Sequence, residues 1–338
     1  MLFKKLHFFL LGLHRRSKLK GVLITFVEML KYVRFYNQIL LINGYKLSVR
    51  RRISHFLFYS RISYLYPNLD TEEMRKIVPR SLTHSVYEKF KIKRSELTFD
   101  KLKMYQKMIE CNISIPKTYY FDKNTLVLLG DSIKHNSNGV EPELILKPRF
   151  SNGGKGIRMI KKEEIKDDYN SIFQEVMLNH QDVLNVQGNN FCSTLRYVFY
   201  NSSMPSPIGA SFQFNTGKII DHMMQGGSLS ILVNVETGRL FGKAFNYKGE
   251  TFEKHPLTGV EFANFLLPNW NSVNDEIKKI AKAYPSLPII AADLCISEHG
   301  CVVLEINAGC GTIAGQLDHG WLHHTFFTEY YPKRPSNL

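Results

Sequence analysis

The chain has 338 residues, 44% apolar and 12% aromatic, with no low-complexity tract and no fixed-period repeat. That excludes a disordered, fibrous or solenoid protein and leaves a globular one able to bury a sizeable core. The net charge of +14 is concentrated: residues 1–55 carry twelve Lys and Arg against one acid, Glu28, and the remainder is close to neutral.

The first residues, MLFKKLHFFLLGLHRR, imitate a signal peptide. The apolar core FFLLGL is short, no small-residue cleavage site follows, and Arg15-Arg16 interrupt it. No run of about 18 apolar residues occurs, so no bilayer-spanning helix is expected and the expected location is cytoplasmic. Phe3, Leu6, Phe9, Leu10 and Leu13 form an apolar stripe, with Lys4, Lys5, Arg15, Arg16 and Lys18 around it. Two readings stand: residues 1–55 lie on the anionic inner leaflet of a membrane, or the helix packs on the body with a solvated charged face. No nucleic-acid-binding module accompanies the charge, so nucleic acid is not an expected partner.

Helical spacing continues over 21–43, where Leu23, Phe26, Val27, Leu30 and Val33 share a stripe and Asn43-Gly44 signals the stop. Asp70-x-x-Glu73 fits the cap of a short helix ended by Pro79. Residues 1–95 therefore read as a mainly helical, basic region. From Thr98 the texture changes. Residues 100–110 read as a helix with Leu102, Tyr105, Met108 and Ile109 inward, followed by a strand near 117–121. Apolar runs at 127–130, 144–148, 197–200, 231–242 and 288–296 alternate with turn signals, and 272–284 is a helix carrying Ile277, Ile280, Ala281 and Tyr284 inward. The pattern predicts α+β with antiparallel sheets. Five cysteines, odd in number and without CxxC, read as reduced thiols.

Two stretches carry chemistry. In KPRFSNGGKGI (147–157), a strand ending at Lys147 leads into Ser151, Gly153, Gly154, Lys155 and Gly156, and Ile157–Ile160 reads as a second strand. Glycines let backbone N–H groups converge on phosphate, and lysine adds a mobile charge. The loop lacks the GxxxxGK[ST] and GxGxxG patterns, so it reads as a hairpin flap able to fold over a triphosphate, or as a plain turn. In AADLCISEHGCVVLEINAG (291–309), a three-residue loop Glu298-His299-Gly300 sets Asp293 directly opposite Glu305, with Asn307 on the same face. Facing carboxylates within apolar strands need a shared proton, a basic side chain or a divalent cation, and Asp, Glu and Asn oxygens suit Mg²⁺. The alternative is a structural carboxylate bonded to backbone amides.

These elements, in this order, resemble the ATP-grasp superfamily. Gln174-Glu175-Val176-Met177 is similar to its adenine-holding hinge strand, and Ser193-Thr194-Leu195-Arg196 to the segment supplying an arginine. Gln225-Gly226-Gly227 with Val233-x-x-Glu236-Thr237-Gly238, His255-Pro256-x-Thr258-Gly259, Pro268-Asn269-Trp270 and LEINAG are similar to the sugar-transfer-associated group. The resemblance spans roughly 98–325. The chain departs from it in having Ser193 where Asn is usual, and Asn179-His180-Gln181-Asp182 in place of a plain acidic ribose contact.

The resemblance implies an ATP-grasp fold at 96–330, two α+β subdomains clamping ATP: a flap at about 140–178 and a metal-binding sheet at about 190–325. It implies ATP and two Mg²⁺ as cofactors. Lys147 would hold the α- and β-phosphates, Lys155 with Ser151, Gly153, Gly154 and Gly156 would close over β and γ, and Gln174, Glu175, Val176, Met177 and Asp182 would complete the nucleotide site. Asp293, Glu305 and Asn307 would bind metal, with Glu305 bridging, and Arg196 would stabilise the acyl phosphate. Lys147 also reads as a surface lysine, Arg196 as a buried ion pair, and Glu175 as a cap on backbone amides. His180, His222 and His255 are candidate bases or structural histidines, and His319, His323 and His324 a metal cluster or a helix lining. The implied activity is a carboxylate–amine ligase acting on a small-molecule or lipid-linked sugar; a sugar kinase and a non-catalytic nucleotide-binding adaptor are the other readings.

Overall fold

The computed structural model describes residues 12–14, 16–18, 20–45, 47–65, 80–89, 100–123, 125–130, 143–151, 153–165, 168–201, 204–219, 228–246 and 250–308. The chain divides into two compact units, Met1–Ile92 with Gly309–Leu338 and Lys93–Ala308.

The first unit contains α1 (Val22–Ile42), α2 (Val49–Leu65) and α3 (Arg80–Lys89). Asn43 caps α1 at its C-terminus and Gly44 follows at φ 75°, so the helix stops where the Asn-Gly pair signals. Its buried face is Thr25, Glu28, Met29, Tyr32, Val33, Tyr36, Ile39 and Leu40, whereas Leu23, Phe26, Val27 and Leu30 are exposed. Arg16, expected among the charges around the amphipathic stripe, is fully buried, and its Nε donates to Glu28 Oε2 at 2.6 Å. Burying this guanidinium requires that partner. Most of that stripe, like the helix at Asp70–Glu73, lies outside the described residues. Among the described residues, no helix is long and apolar enough to cross a membrane.

The second unit holds two antiparallel sheets. The first has five strands in the order β2 (Thr125–Leu128), β1 (Thr118–Asp122), β5 (Ser171–Glu175), β3 (Glu143–Pro148), β4 (Arg158–Lys161). Tyr119, Leu144, Leu146, Ile160 and Phe173 form its core. The second has seven: β10 (Thr251–Phe252), β9 (Leu240–Phe245), β8 (Ser228–Val233), β7 (Ser206–Asn215), β6 (Thr194–Tyr200), β11 (Ile289–Ser297), β12 (Gly300–Ala308). The expected α+β architecture with antiparallel sheets is present.

Three helices accompany the sheets: α4 (Lys101–Glu110), α5 (Gln181–Gln187) and α6 (Trp270–Ala283). In α4 the expected Leu102, Tyr105 and Met108 are buried while Ile109 is only partly so. In α6 Ile277, Ile280, Ala281 and Tyr284 are all buried, and the helix starts at Trp270, two residues ahead of the predicted start. Its N-cap Asn269 sits in the left-handed region and supplies no side-chain cap; instead it donates to Ser297 O at 2.8 Å, tying α6 to the β11–β12 turn. Among the described residues Cys111, Cys192, Cys295 and Cys301 are free thiols.

Candidate functional site

The β11–β12 hairpin places Asp293 opposite Glu305, as the spacing predicts, but by a different route. Ser297 pairs with Gly300, so the turn holds two residues, and the register shifts between Asp293 and Leu294, leaving Leu304 as the extra residue of a bulge. The two one-residue differences cancel. On the other side β6 sets Arg196 opposite Asp293. Period-two alternation therefore puts Arg196, Asp293, Glu305 and Asn307 on one face of the large sheet.

These groups touch. Arg196 Nη2 donates to Asp293 Oδ2 at 2.9 Å, its Nε closes on Asp293 Oδ1, and Asn307 Nδ2 donates to Asp293 Oδ2 at 3.1 Å. Asp293 is buried, and the guanidinium fork supplies the basic partner that a desolvated carboxylate needs. The facing Glu305 is more open. Its Oε1 lies 3.4 Å from the Nζ of Lys101, a buried lysine on the first turn of α4.

Lys101 was not singled out in the sequence, yet it reaches both sides of the site: its Nζ also donates to the carbonyl of Ser151, in the glycine loop. Its placement is enforced. Asp100 caps α4 by accepting from Leu102 N at 3.1 Å, and it receives a bidentate pair from Arg149, 3.0 Å to Nε and 2.7 Å to Nη2. Burial alone would raise the Asp100 carboxyl; Arg149 and the helix amides more than offset it and hold it below the ordinary value. One sequence signal pointed here: a lysine at a helix N-terminus opposes the helix dipole, so another partner must retain it.

Lys147, at the end of β3, is half-buried. Burial pushes its ammonium pKa down, with Glu305 and Cys192 acting in the opposite direction and Lys101 adding to the fall. The side chain thus feels the charges of Glu305 and Lys101 and lines the cleft described next, while keeping part of its surface in solvent. Beyond it, Gly153, Gly154 and Gly156 all adopt positive φ, 64°, 72° and 76°. At Gly156 a Cβ would stand 2.8 Å from Pro148 Cγ, so only glycine returns the chain into β4 without strain. Lys155 is exposed at the loop tip. Asn152 of the loop lies outside the described residues.

A cleft opens beside this cluster. Lys147, Ile157 and Met159 line it from the flap strands, Glu175, Val176 and Met177 from the end of β5, and Leu304 from the bulge. Flap and hairpin thus border one cavity, mostly apolar in its lining and with the Lys147 cation in it, chemistry that suits an apolar ring carrying an anionic group. Gln174 also lines it, but its side chain is engaged: Tyr105 OH donates to Oε1 at 3.3 Å and Nε2 donates to Thr118 Oγ1 at 2.8 Å. The same hydroxyl lies against the Leu304 carbonyl at the bulge, so its single proton is shared between the two acceptors. The Glu175 carboxylate accepts from Lys117 N at 2.7 Å, which is the amide-capping reading. Cys192 and Thr194, absent from the predicted set, join the lining.

Asp182 is not among the cleft-lining residues. Its carboxylate is exposed and lies 3.5 Å from His180 Nδ1, whose Nε2 is 3.3 Å from Glu298 at the hairpin turn. His255 is buried among aromatic rings with Nε2 3.2 Å from the Asn215 carbonyl, and burial depresses its pKa. It is not among the residues that line the cleft, and its contacts are those of a structural histidine. His222, Gln225–Gly227 and His319, His323 and His324 lie outside the described residues.

Asp293, Glu305 and the Asn307 amide present hard oxygen donors of the kind Mg²⁺ takes on one face, with both Asp293 oxygens held by Arg196 in this structure. Glu305 is partly exposed, with Lys101 Nζ 3.4 Å from its Oε1. Among the described residues no group of three or more His, Cys, Asp or Glu gathers, so any ion would take an amide, water or phosphate as further ligand.

A glycine flap on a small antiparallel sheet, a larger sheet bearing the acid–acid–Asn face and a cleft lined from both make up the arrangement that the ATP-grasp resemblance implies. Residues 165–325 match the model of the family described as sugar-transfer associated ATP-grasp. The chain is thus similar to the ATP-grasp superfamily, and most like this group within it. Among solved structures it is similar to D-alanine–D-alanine ligase from Bacillus anthracis complexed with ATP (10% identity, 73% of this chain and 71% of that one, TM-score 0.41). It is also similar to D-alanyl-alanine synthetase A from Vibrio cholerae (12%, 69% and 62%, 0.39) and to N5-carboxyaminoimidazole ribonucleotide synthetase from Thermotoga maritima (12%, 71% and 50%, 0.38). The chain spans about half the length of several of the solved proteins it matches. None of the curated proteins compared with it matches.

Proposed function

We propose that the chain is an ATP- and Mg²⁺-dependent carboxylate–amine ligase acting through an acyl phosphate. Its substrate would be a cell-surface polysaccharide or a small-molecule or lipid-linked precursor, with an amine or amino acid joined to a uronic acid. The observation that carries the reading is the cross-strand row Arg196, Asp293, Glu305, beside a cleft edged by Lys147 and joined to the flap through Lys101. The description of the matching family as sugar-transfer associated supports trying glycan acceptors first.

In this scheme an acceptor carboxylate oxygen attacks the γ-phosphorus, the bond to the β,γ-bridging oxygen breaks and ADP leaves. An amine then attacks the acyl carbon, inorganic phosphate leaves, and the amine proton is lost. The work is charge neutralisation and positioning. Lys147 and Lys101 hold the polyphosphate, and the glycine amides of 153–156 with Lys155 cover its end. Arg196 faces the phosphoryl and tetrahedral oxyanion, while Val176 and Met177 seat the base. Mg²⁺ held by Asp293, Glu305 and Asn307 would offset the remaining phosphate charge.

The test is incubation with ATP, Mg²⁺, uronic-acid-bearing glycans and an amine pool. The expected products are ADP, free phosphate and an amide adduct seen by mass spectrometry. Transfer of the γ-phosphate to a hydroxyl, without free phosphate, would make the protein a kinase; no turnover with any pool would favour the adaptor.

A further inference from the structure

The most apolar stripe of α1 faces outward. The helix carries Leu23, Phe26, Val27 and Leu30 on its exposed side, Leu23 at 75% and Phe26 at 51% of full exposure. The side it buries is rich in tyrosine and includes Glu28. At 100° per residue, Arg34 falls among these apolar groups and Lys31 at their margin, and both are exposed. The only acid of the helix is Glu28, and it is taken up by Arg16 at 2.6 Å and Lys20 at 3.4 Å. The outward surface is therefore apolar and cationic, with no carboxylate of its own helix to answer the charge.

We infer that this face of α1 docks on an anionic lipid bilayer, lying in the plane of the headgroups. The chemistry selects that occupant. A contiguous row of large apolar side chains at this exposure is costly in water and gains by entering the acyl boundary. Lysine and arginine beside it reach back to phosphate headgroups on their long stems. A second copy of the same face fits less well, because a two-fold contact would set Lys31 and Arg34 against like charges. Spanning is excluded for this helix, which is not long and apolar enough. The inference stands on α1 alone and is independent of the ligase reading.

The experiment is cosedimentation of the full chain with vesicles of phosphatidylcholine alone, and of phosphatidylcholine mixed with phosphatidylglycerol. Wild type is expected to partition onto the mixed vesicles about tenfold or more above the neutral ones, an excess that shrinks with salt. The double variant F26E/L30E is expected to lose binding to both, with circular dichroism and melting temperature unchanged because both side chains are exposed. K31E/R34E is expected to lose the preference for the anionic vesicles and keep the weak neutral binding. Wild type that stays in the supernatant with both vesicles, or F26E/L30E that binds as wild type does, overturns the proposal. So does a wild-type dimer in sedimentation velocity that F26E/L30E renders monomeric while neither protein binds vesicles; the face would then belong to a second copy.

Discussion

Arg196 and Asp293 stand directly opposite each other on β6 and β11, and the guanidinium grips both carboxylate oxygens, with Nη2 at 2.9 Å from Oδ2. One residue on the next strand lies Glu305, so a cation, an anion and a second anion form a row across three strands. Removing the cation leaves a buried carboxylate without its guanidinium partner, the Asn307 amide still donating to Oδ2 at 3.1 Å. Arg196→Met is expected to lower ADP formation by about 10²–10³-fold. It is also expected to cost about 1–3 kcal/mol of stability, since one member of a largely buried pair is lost. Arg196→Lys should recover most of the stability and little of the rate, because a point charge cannot reproduce the fork. Thermal unfolding and coupled ADP release separate the two effects.

Lys101 links the Ser151 carbonyl of the flap to Glu305 of the large sheet. Lys101→Met keeps most of the stem volume and removes the charge. Nucleotide affinity is expected to fall by about tenfold or more, the size of one charge-assisted contact. Calorimetric titration with ATP and Mg²⁺ measures it. An unchanged dissociation constant would show that the lysine is structural, with no part in holding phosphate.

The Asp293–Glu305 pairing was legible because a hairpin converts sequence distance into register, and two compensating one-residue shifts left the answer intact. The cluster around it was not, because its members come from remote parts of the chain. Lys101 meets Glu305, Asp100 meets Arg149, and the Gln174 side chain is spent on Thr118 and Tyr105. The helix-start position of Lys101 signals that some partner retains it, but nothing local to these residues says which residue that is. The stripe of α1 shows a different limit. Periodicity finds an apolar face but does not say which face is buried, and here tyrosines with a satisfied glutamate took the interior.

The Asp100–Arg149 pair fixes the base of the flap to α4, and its pH dependence has a definite sign. The Asp100 carboxyl is held below its ordinary value in the fold. Its contribution is therefore present above the unfolded value of about 3.9 and is lost as pH falls through the lower, folded value. Wild type should lose melting temperature on going from about pH 5 to about pH 3, and Asp100→Asn should show a shallower fall from a lower start. Asp100→Asn curves parallel to wild type would remove the carboxylate from the account of acid sensitivity.

Gly156 combines φ 76° with a Pro148 ring atom 2.8 Å from where a Cβ would stand. Alanine there meets two penalties: about 1–2 kcal/mol for the left-handed backbone and a clash with a ring that cannot swing aside. The loop it strains packs little apolar surface, so global unfolding should move by only a few degrees. The flap itself must reshape, splaying the amides of 153–156 away from the phosphate they would cover. Gly156→Ala is therefore expected to raise the KM for ATP and lower kcat together, while adenosine, which has no phosphates, should bind as it does to wild type. A variant that weakens adenosine as much as ATP would show that the strain spreads to the Val176–Met177 end of the cleft.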